Sequence, residues 1–298
     1  EMCIRDSSNS QQLRCHYCDY NKPPPEACGG CGAPDAALLG IGTERLEEEV
    51  RSLLPNARLA RLDRDTAQRR GYTKSVLDGL QRREIDILLG TQMVAKGHDF
   101  PGVRLVGVIL ADLGLHLPDF RAAERTFQLL TQVAGRAGRG ARPGEVIGQS
   151  YMPHHSAIDM AARLAEDEFY EKELKTRRLL RFPPFARLIS LLVSGGSDEK
   201  VRGQAERLGA LMKRLSYTRE FKAVQVLGPT PSAVKRVDNQ WRWRLIIRGT
   251  DFRRSHGLLN NALQDYRKDK GEDSIRLTVD VDPVNCLLYT SPSPRDRG

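Results

Sequence analysis

Asp86-Ile-Leu-Leu-Gly90-Thr-Gln-Met-Val-Ala-Lys96-Gly-His-Asp-Phe100, closed by Pro101, is the stretch on which the fold turns. Its first five residues form an apolar run of strand length that stops at a small-residue turn. A strand of this kind suits burial on both faces of a parallel sheet, whose carboxyl edge is where ligands sit. The turn offers backbone amides, the Thr91 hydroxyl and the Gln92 amide, groups that hold phosphates without reading bases. Gly97 permits close backbone approach, and Asp99 supplies an acceptor for a ribose hydroxyl. Outward from this strand the periods alternate: helical from Glu44 to Leu54, strand-like from Arg58 to Leu62, helical from Lys74 to Arg82, and strand-like again from Ile85 to Leu89 and from Leu105 to Leu110. That alternation predicts a parallel α/β lobe over residues 39–153, with Leu105 to Ala111 as a second doubly buried strand.

Downstream stands Gln132-Val-Ala-Gly135-Arg136-Ala-Gly-Arg139, at the end of a helical stretch that starts near Asp119. At 3.6 residues per turn, Gln132, Arg136 and Arg139 fall on one face, and the small residues between them allow a partner to come close. Guanidinium forks on a rigid element match the charge that develops on a transferring phosphoryl group. A solvated basic helix end would need no such spacing. No G-x-x-x-x-G-K-[ST] phosphate loop and no DEAH-type acidic box occurs anywhere in the chain, so the lysine and magnesium ligands of phosphoryl transfer are not in this sequence.

The chain carries 47 Lys and Arg against 38 Asp and Glu, a net charge of +9, which favours a polyanionic partner. No apolar run nears the ~20 residues that cross a bilayer, so a soluble protein without a membrane partner is expected. Both ends look foreign. Met2-Cys-Ile-Arg-Asp-Ser7 and Cys286-Leu-Leu-Tyr-Thr290 back-translate to strings that are reverse complements, as a translated sequencing adapter would. Residues 1–7 and 286–298 are therefore set aside from the fold. The four remaining cysteines form two pairs, Cys15/Cys18 and Cys28/Cys31, in a Pro- and Gly-rich segment, residues 8–38, too short to hold a core without a metal staple. In a chain without secretory features the pairs suggest zinc in a reducing cytoplasm rather than disulfides. Read from their spacing alone, the four form one tetrahedral zinc site. His16, His98 and His116 receive no role.

After the lobe, residues 154–185 read as a connector built on one long charged helix, Ser156 to Arg181, stopped by Phe182-Pro-Pro184. Residues 186–285 then read strand, helix, strand, strand, helix, strand, the ferredoxin-like order of an α+β domain. Lys235, Arg236 and Trp241-Arg-Trp-Arg244 interleave basic and aromatic residues there. Alternation along a strand puts the tryptophans on one face and the arginines on the other, so stacking and phosphate contacts cannot share a surface.

Residues 90–101 and the run from Pro118 through Arg139 resemble motifs V and VI of the primosomal protein N-prime family, the superfamily-2 replication-restart DNA helicases. Gly42 to Glu49, Asp63 to Thr66 and Phe182-Pro-Pro-Phe185 are similar to that family's segments too, and the likeness covers nearly everything between the two ends. The resemblance implies a second RecA-like lobe preceded by a zinc-binding segment. It implies ATP-driven 3′-to-5′ unwinding that restarts stalled forks and helps assemble the primosome. It places Gly97 and Asp99 on nucleotide, Gln132, Arg136 and Arg139 in a magnesium-ATP site with an arginine finger among the last two, and Thr91 and Gln92 on the DNA backbone. It implies two zinc ions in an intact protein, each of the two pairs here belonging to a different ion and forming a half-site. Forked and single-stranded DNA, the single-strand DNA-binding protein and primosome proteins are the implied partners, and the bacterial cytoplasm the compartment. A chain of this extent is expected to be inactive alone. The competing reading is a non-enzymatic, basic zinc-ribbon nucleic-acid-binding protein. Another superfamily-2 translocase ranks lower, because the zinc segment argues against it.

Overall fold

A computed structural model describes residues 4–7, 12–15, 21–22, 42–91, 102–117, 119–135, 144–268 and 274–283. The chain divides into two compact units, one of residues 35–117 and 121–171, the other of residues 1–34, 118–120 and 172–298.

In the first unit α1, Thr43–Leu53, has no buried residue. It is held together along its surface by Arg45 with Glu49 and by Arg51 with Glu47, pairs four residues apart that stabilise a helix by a few tenths of a kcal/mol. Strand β4, Leu59–Leu62, pairs in parallel with β5, Ile87–Gly90, through a crossover that contains α2, Arg64–Ala67, and α3, Tyr72–Gln81. Gly71, at φ +80°, turns the chain into α3 through a left-handed conformation that a side chain would strain. A second parallel pair joins β6, Leu105–Val108, to β7, Glu145–Gly148, with α4, Ala122–Ala134, between them.

The structure is therefore mixed α/β with parallel pairing, as expected, but the strands are less buried than the sequence reading required. Leu105 is 59% and Ile147 56% exposed. Among the described residues each strand pairs with one neighbour only, which leaves each pair two free edges and its apolar side chains partly in water.

The core of this unit lies on the helices. Phe127 of α4 stacks on Phe169, ring centroids 4.0 Å apart and nearly coplanar, with Ala157, Met160 and Ala161 closing around them. Where one helix was expected over 156–181 there are two, α5, Ser156–Ala162, and α6, Glu166–Leu180. Leu164, at φ +55°, makes the corner. Arg163 staples it by donating to Asp159 at 2.8 Å and to Glu168 at 3.1 Å, while Glu166, Asp167 and Glu168 place negative charge at the new helix start. Continuous charge hid this break, because no glycine or proline marks it. The stop before Phe182-Pro-Pro184 is as expected.

The second unit holds β8, Arg187–Gly195, α7, Asp198–Ser216, β9, Gln225–Val237, β10, Gln240–Gly249, α8, Phe252–Lys268, and β11, Arg276–Val281. All neighbouring strands are antiparallel in the order β11-β8-β10-β9, so the strand-helix-strand-strand-helix-strand succession read from the sequence is the one found. Central β8 is apolar from Leu188 to Val193 apart from Ser190, as a strand buried on both faces must be. Val201, Ala205, Leu208 and Met212 form the buried stripe of α7 against Leu191, Val193, Leu245 and Ile247. Asp238 and Asn239, at φ +48° and +60°, form the two-residue hairpin turn between β9 and β10.

Gly209 lets α7 approach that sheet. A Cβ there would stand 2.9 Å from Pro229 Cδ and 3.1 Å from Leu245 Cδ2. Gly209→Ala should therefore destabilise the second unit by about 1–3 kcal/mol in urea unfolding, although alanine is the better helix former. The same change at Gly203, which has open space around it, should not destabilise.

Before β8 the unit includes three short strands, β1, Ile4–Ser7, β2, Gln12–Cys15, and β3, Asn21–Lys22, in an antiparallel sheet. Ile4 to Ser7, set aside as adapter-derived, thus take part in backbone pairing with β2.

Candidate functional site

Leu62 and Gly90 are register partners, so the chain leaves β4 at Asp63 and β5 at Thr91 side by side, on the carboxyl edge of the pair. Asp63 is buried there and closes a reciprocal cap at the start of α2. The Thr66 N–H donates to its carboxylate at 2.9 Å, and its own N–H donates to Thr66 Oγ1 at 2.9 Å. The Thr43 hydroxyl, in the first turn of α1, donates to the other carboxylate oxygen at 2.8 Å, and Arg61 Nε lies 3.2 Å from it. Burial pushes the Asp63 carboxyl up, but these hydrogen bonds and the Arg61 charge outweigh it and hold the group below its ordinary value. One carboxylate thus joins the starts of two helices to the end of a strand.

A carboxylate held below its ordinary value of about 4 contributes stability that is fully present above that value and fades as pH falls through the lowered folded one. Asp63→Ala should cost about 1–3 kcal/mol near neutral pH, because buried donors lose their acceptor. In urea unfolding the gap between variant and parent should narrow below about pH 4. A gap independent of pH would show that the carboxylate charge is not what holds the edge. The sequence marked Asp63 to Thr66 only as similar to a family segment; Asp-x-x-Thr at a strand end reads as a cap and gave Asp63 no role on this edge.

Thr91 is exposed on the same edge. Gln92, Gly97 and Asp99 lie outside the described residues.

The other half of the predicted site follows α4. Gln132 is exposed in its last turn, and Gly135 ends the helix by donating its N–H to the Thr131 carbonyl at 2.9 Å. Arg136 and Arg139 lie outside the described residues, so the shared helical face expected for all three is drawn only as far as Gln132. Gln132 borders an open depression of about 280 Å³ that, among the described residues, is lined also by Phe127, Gln128, Thr131, Glu166 and Tyr170. Glu166 and Tyr170 come from a helix the sequence reading treated only as a connector.

Asp112 is buried past the carboxyl end of β6. It accepts from the Tyr151 N–H at 3.2 Å, beyond β7, and lies 3.6 Å from His116 Nε2. Burial raises its pKa, but hydrogen bonds from the Ser150 side chain and the Tyr151 N–H, with a smaller one from His116, bring the net value below the ordinary one. His116 thus has a structural partner on the lobe.

Cys15 ends β2, and Cys18, Cys28 and Cys31 lie outside the described residues. Among the described residues no three His, Cys, Asp or Glu side chains converge as a metal site.

On β10, Trp241 and Trp243 pack against the core beneath α7 and α8, and Trp243 Nε1 donates to Asp198 at 2.8 Å. The Arg236 guanidinium covers the Trp241 ring at 5.2 Å. Arg242 and Arg244 project from the opposite face, as alternation requires. Arg242 is buried, and burial first, then the neighbouring Arg244 charge, holds its pKa below the ordinary value.

Residues 178–284, which contain the whole four-stranded sheet, match the family model described as the primosomal protein N C-terminal domain. Curated relatives match over most of the chain. The replication restart protein PriA of Bacillus subtilis is 39% identical over 93% of the chain, that of Treponema pallidum 41% identical over 92%, and that of Haemophilus influenzae 36% identical over 91%. The chain is a relative of PriA. It spans 34%, 41% and 36% of the lengths of those three proteins, so both units described here correspond to about a third of a PriA. Among the described residues no helix is long and apolar enough to cross a membrane.

Proposed function

We propose that the chain is the second RecA-like lobe and C-terminal domain of an ATP-dependent 3′-to-5′ DNA helicase that restarts stalled replication forks and helps assemble the primosome. The observation that carries this reading is identity of 36–41% to PriA proteins over more than nine tenths of the chain, a span that includes both the Thr91 edge and the arginine segment.

In this reading the edge at Asp63 and Thr91 faces the DNA backbone, with Thr91 and Gln92 donating to phosphate oxygens. Gly97 lets the backbone come close to nucleotide, and Asp99 accepts from a ribose hydroxyl. Arg136 and Arg139 present guanidinium forks to the γ-phosphate of a magnesium-bound ATP, where charge accumulates as the phosphoryl group transfers. Gln132 completes that surface. The phosphate-loop lysine and the magnesium ligands come from a first lobe, so this chain alone hydrolyses no ATP.

The four thiols fit zinc by their chemistry, as soft donors in two closely spaced pairs. Cys15 with Cys18 and Cys28 with Cys31 are each half of the ligand set of one of two ions in an intact protein. Zinc, where bound, clamps a segment too small to hold itself. The net charge of +9 suits DNA, both forked and single-stranded. Single-strand DNA-binding protein and primosome proteins are the protein partners, and the bacterial cytoplasm is the compartment.

The test supplies a separately expressed first lobe and measures ATP hydrolysis with and without single-stranded DNA. The chain alone is expected to be silent and the pair to be stimulated by DNA. DNA binding without stimulation of the pair would favour a non-enzymatic basic zinc-ribbon binding protein instead.

A further inference from the structure

Phe120 stands just before α4 begins at Ala122, and its ring is held by two partners. It stacks on Phe182, with ring centroids 5.3 Å apart and planes 14° from parallel. The Arg177 guanidinium lies over it, 5.1 Å from the ring centre. Neither partner is loose. Arg177, its side chain 12% exposed, donates to Glu173 at 2.8 Å and to the Pro183 carbonyl at 3.4 Å. Phe182 lies under the Arg248 guanidinium of β10 at 5.8 Å. Arg248 in turn donates through Nε and Nη2 to the Gln225 side-chain carbonyl of β9, at 3.1 and 2.7 Å, and through Nη1 to the Leu180 carbonyl at 2.8 Å. Sheet, guanidinium and two rings thus form one continuous series of contacts that ends on Phe120.

The chain changes unit at this residue. Phe120 belongs to the second unit and Arg121 to the first. Helix α4 then runs through Phe127, stacked on Phe169, to Gln132 in its last turn, and the chain continues to Arg136 and Arg139. A helix of 13 residues is about 20 Å long, so a tilt of about 3° at its start moves its far end by about 1 Å. A misplacement of about 1 Å costs a positioned reaction up to about 10²-fold. Phe127 fixes one point on this segment. Phe120, about two turns earlier, supplies a second, and two points set an axis.

We propose that Phe120 is a positioning residue for ATP hydrolysis: its stack on Phe182 sets the angle at which α4 delivers the arginine segment, which gives the C-terminal sheet a hold on that segment. The assignment rests on the helicase reading of Arg136 and Arg139. The effect of the ring passes through α4 and not through contact with nucleotide.

The test pairs the full chain with a first lobe and measures DNA-stimulated ATPase. Phe120→Ala and Phe182→Ala should each lower kcat about tenfold with KM for ATP little changed, since helix direction rather than nucleotide contact is lost. The double variant should be no slower than the slower single one, because both changes remove one contact. Phe120→Tyr, which keeps the stack, should stay within about twofold of the parent, whereas Phe120→Leu, which keeps only apolar bulk, should not. Phe252→Ala removes another partly exposed ring beside an arginine of the same unit, Arg187 at 5.2 Å, and should leave the rate unchanged. In the chain without a first lobe, Phe182→Ala should shift the backbone amide signals of residues 131–134. Those lie about 14 Å along α4 from its start, beyond the direct influence of the lost ring. Full rate after Phe182→Ala in an active pair, multiplied losses in the double variant, or indifference of residues 131–134 would each overturn the assignment. A silent parent pair would sink the helicase reading instead, and the amide signals would then still decide whether the stack directs α4.

Discussion

Arg139→Ala is expected to reduce the DNA-stimulated ATPase of the chain paired with a first lobe by about 10³-fold or more. The loss should appear in kcat with KM for ATP little changed, because the guanidinium meets charge that exists chiefly in the transition state. Arg139→Lys should recover little, since an ammonium lacks the planar fork. Arg136→Ala is the paired measurement: a smaller loss there, with a raised KM, would mark Arg136 as the binding partner and Arg139 as the finger. If Arg139→Ala left the rate unchanged, the arginine-finger assignment would be wrong whatever the standing of the helicase reading. DNA affinity of the chain alone should stay near that of the parent, as one guanidinium among 47 basic side chains changes the salt-dependent term only slightly.

The second large effect is on stability. Phe127→Ala should destabilise the first unit by about 3–5 kcal/mol. The ring is 1% exposed and lies on Phe169, itself 1% exposed, so its removal opens a cavity and strips one face from its neighbour. Urea unfolding, followed by backbone amide signals of α4 and α6 for this unit and by the fluorescence of the two tryptophans of β10 for the other, is the measurement. Phe127→Leu, which refills most of the space, should recover part of the loss. A loss below about 1 kcal/mol would mean that the α4 and α6 stack is not what holds this unit together.

The C-terminal domain was the most legible part of the chain. Its strands alternate or are wholly apolar and its helices carry stripes at helical spacing, so the order of its elements could be read from neighbouring residues. Strand β9 runs on to Val237 through Gly228, Pro229 and Pro231, residues that ordinarily stop a strand. The strand absorbs them through register irregularities opposite Trp241 to Trp243 and Arg244 to Ile246. The connector was less legible. Its break at Leu164 rests on Arg163 reaching both Asp159 and Glu168, a three-residue arrangement that periodicity does not encode.

At the site, local sequence marked the groups with chemistry: Thr91 after a strand, Gln132 in a helix, and arginines and cysteines at telling intervals. It determined their kinds and their order, since hydroxyl, amide, guanidinium and thiol follow from residue identity alone. Tertiary structure decided which of them meet. Thr91 stands beside Asp63 because parallel pairing aligns Leu62 with Gly90, and Gln132 borders one depression with Glu166 and Tyr170 because two phenylalanines 42 positions apart stack. Such neighbours depend on register and on packing between distant segments, which no interval along the chain specifies.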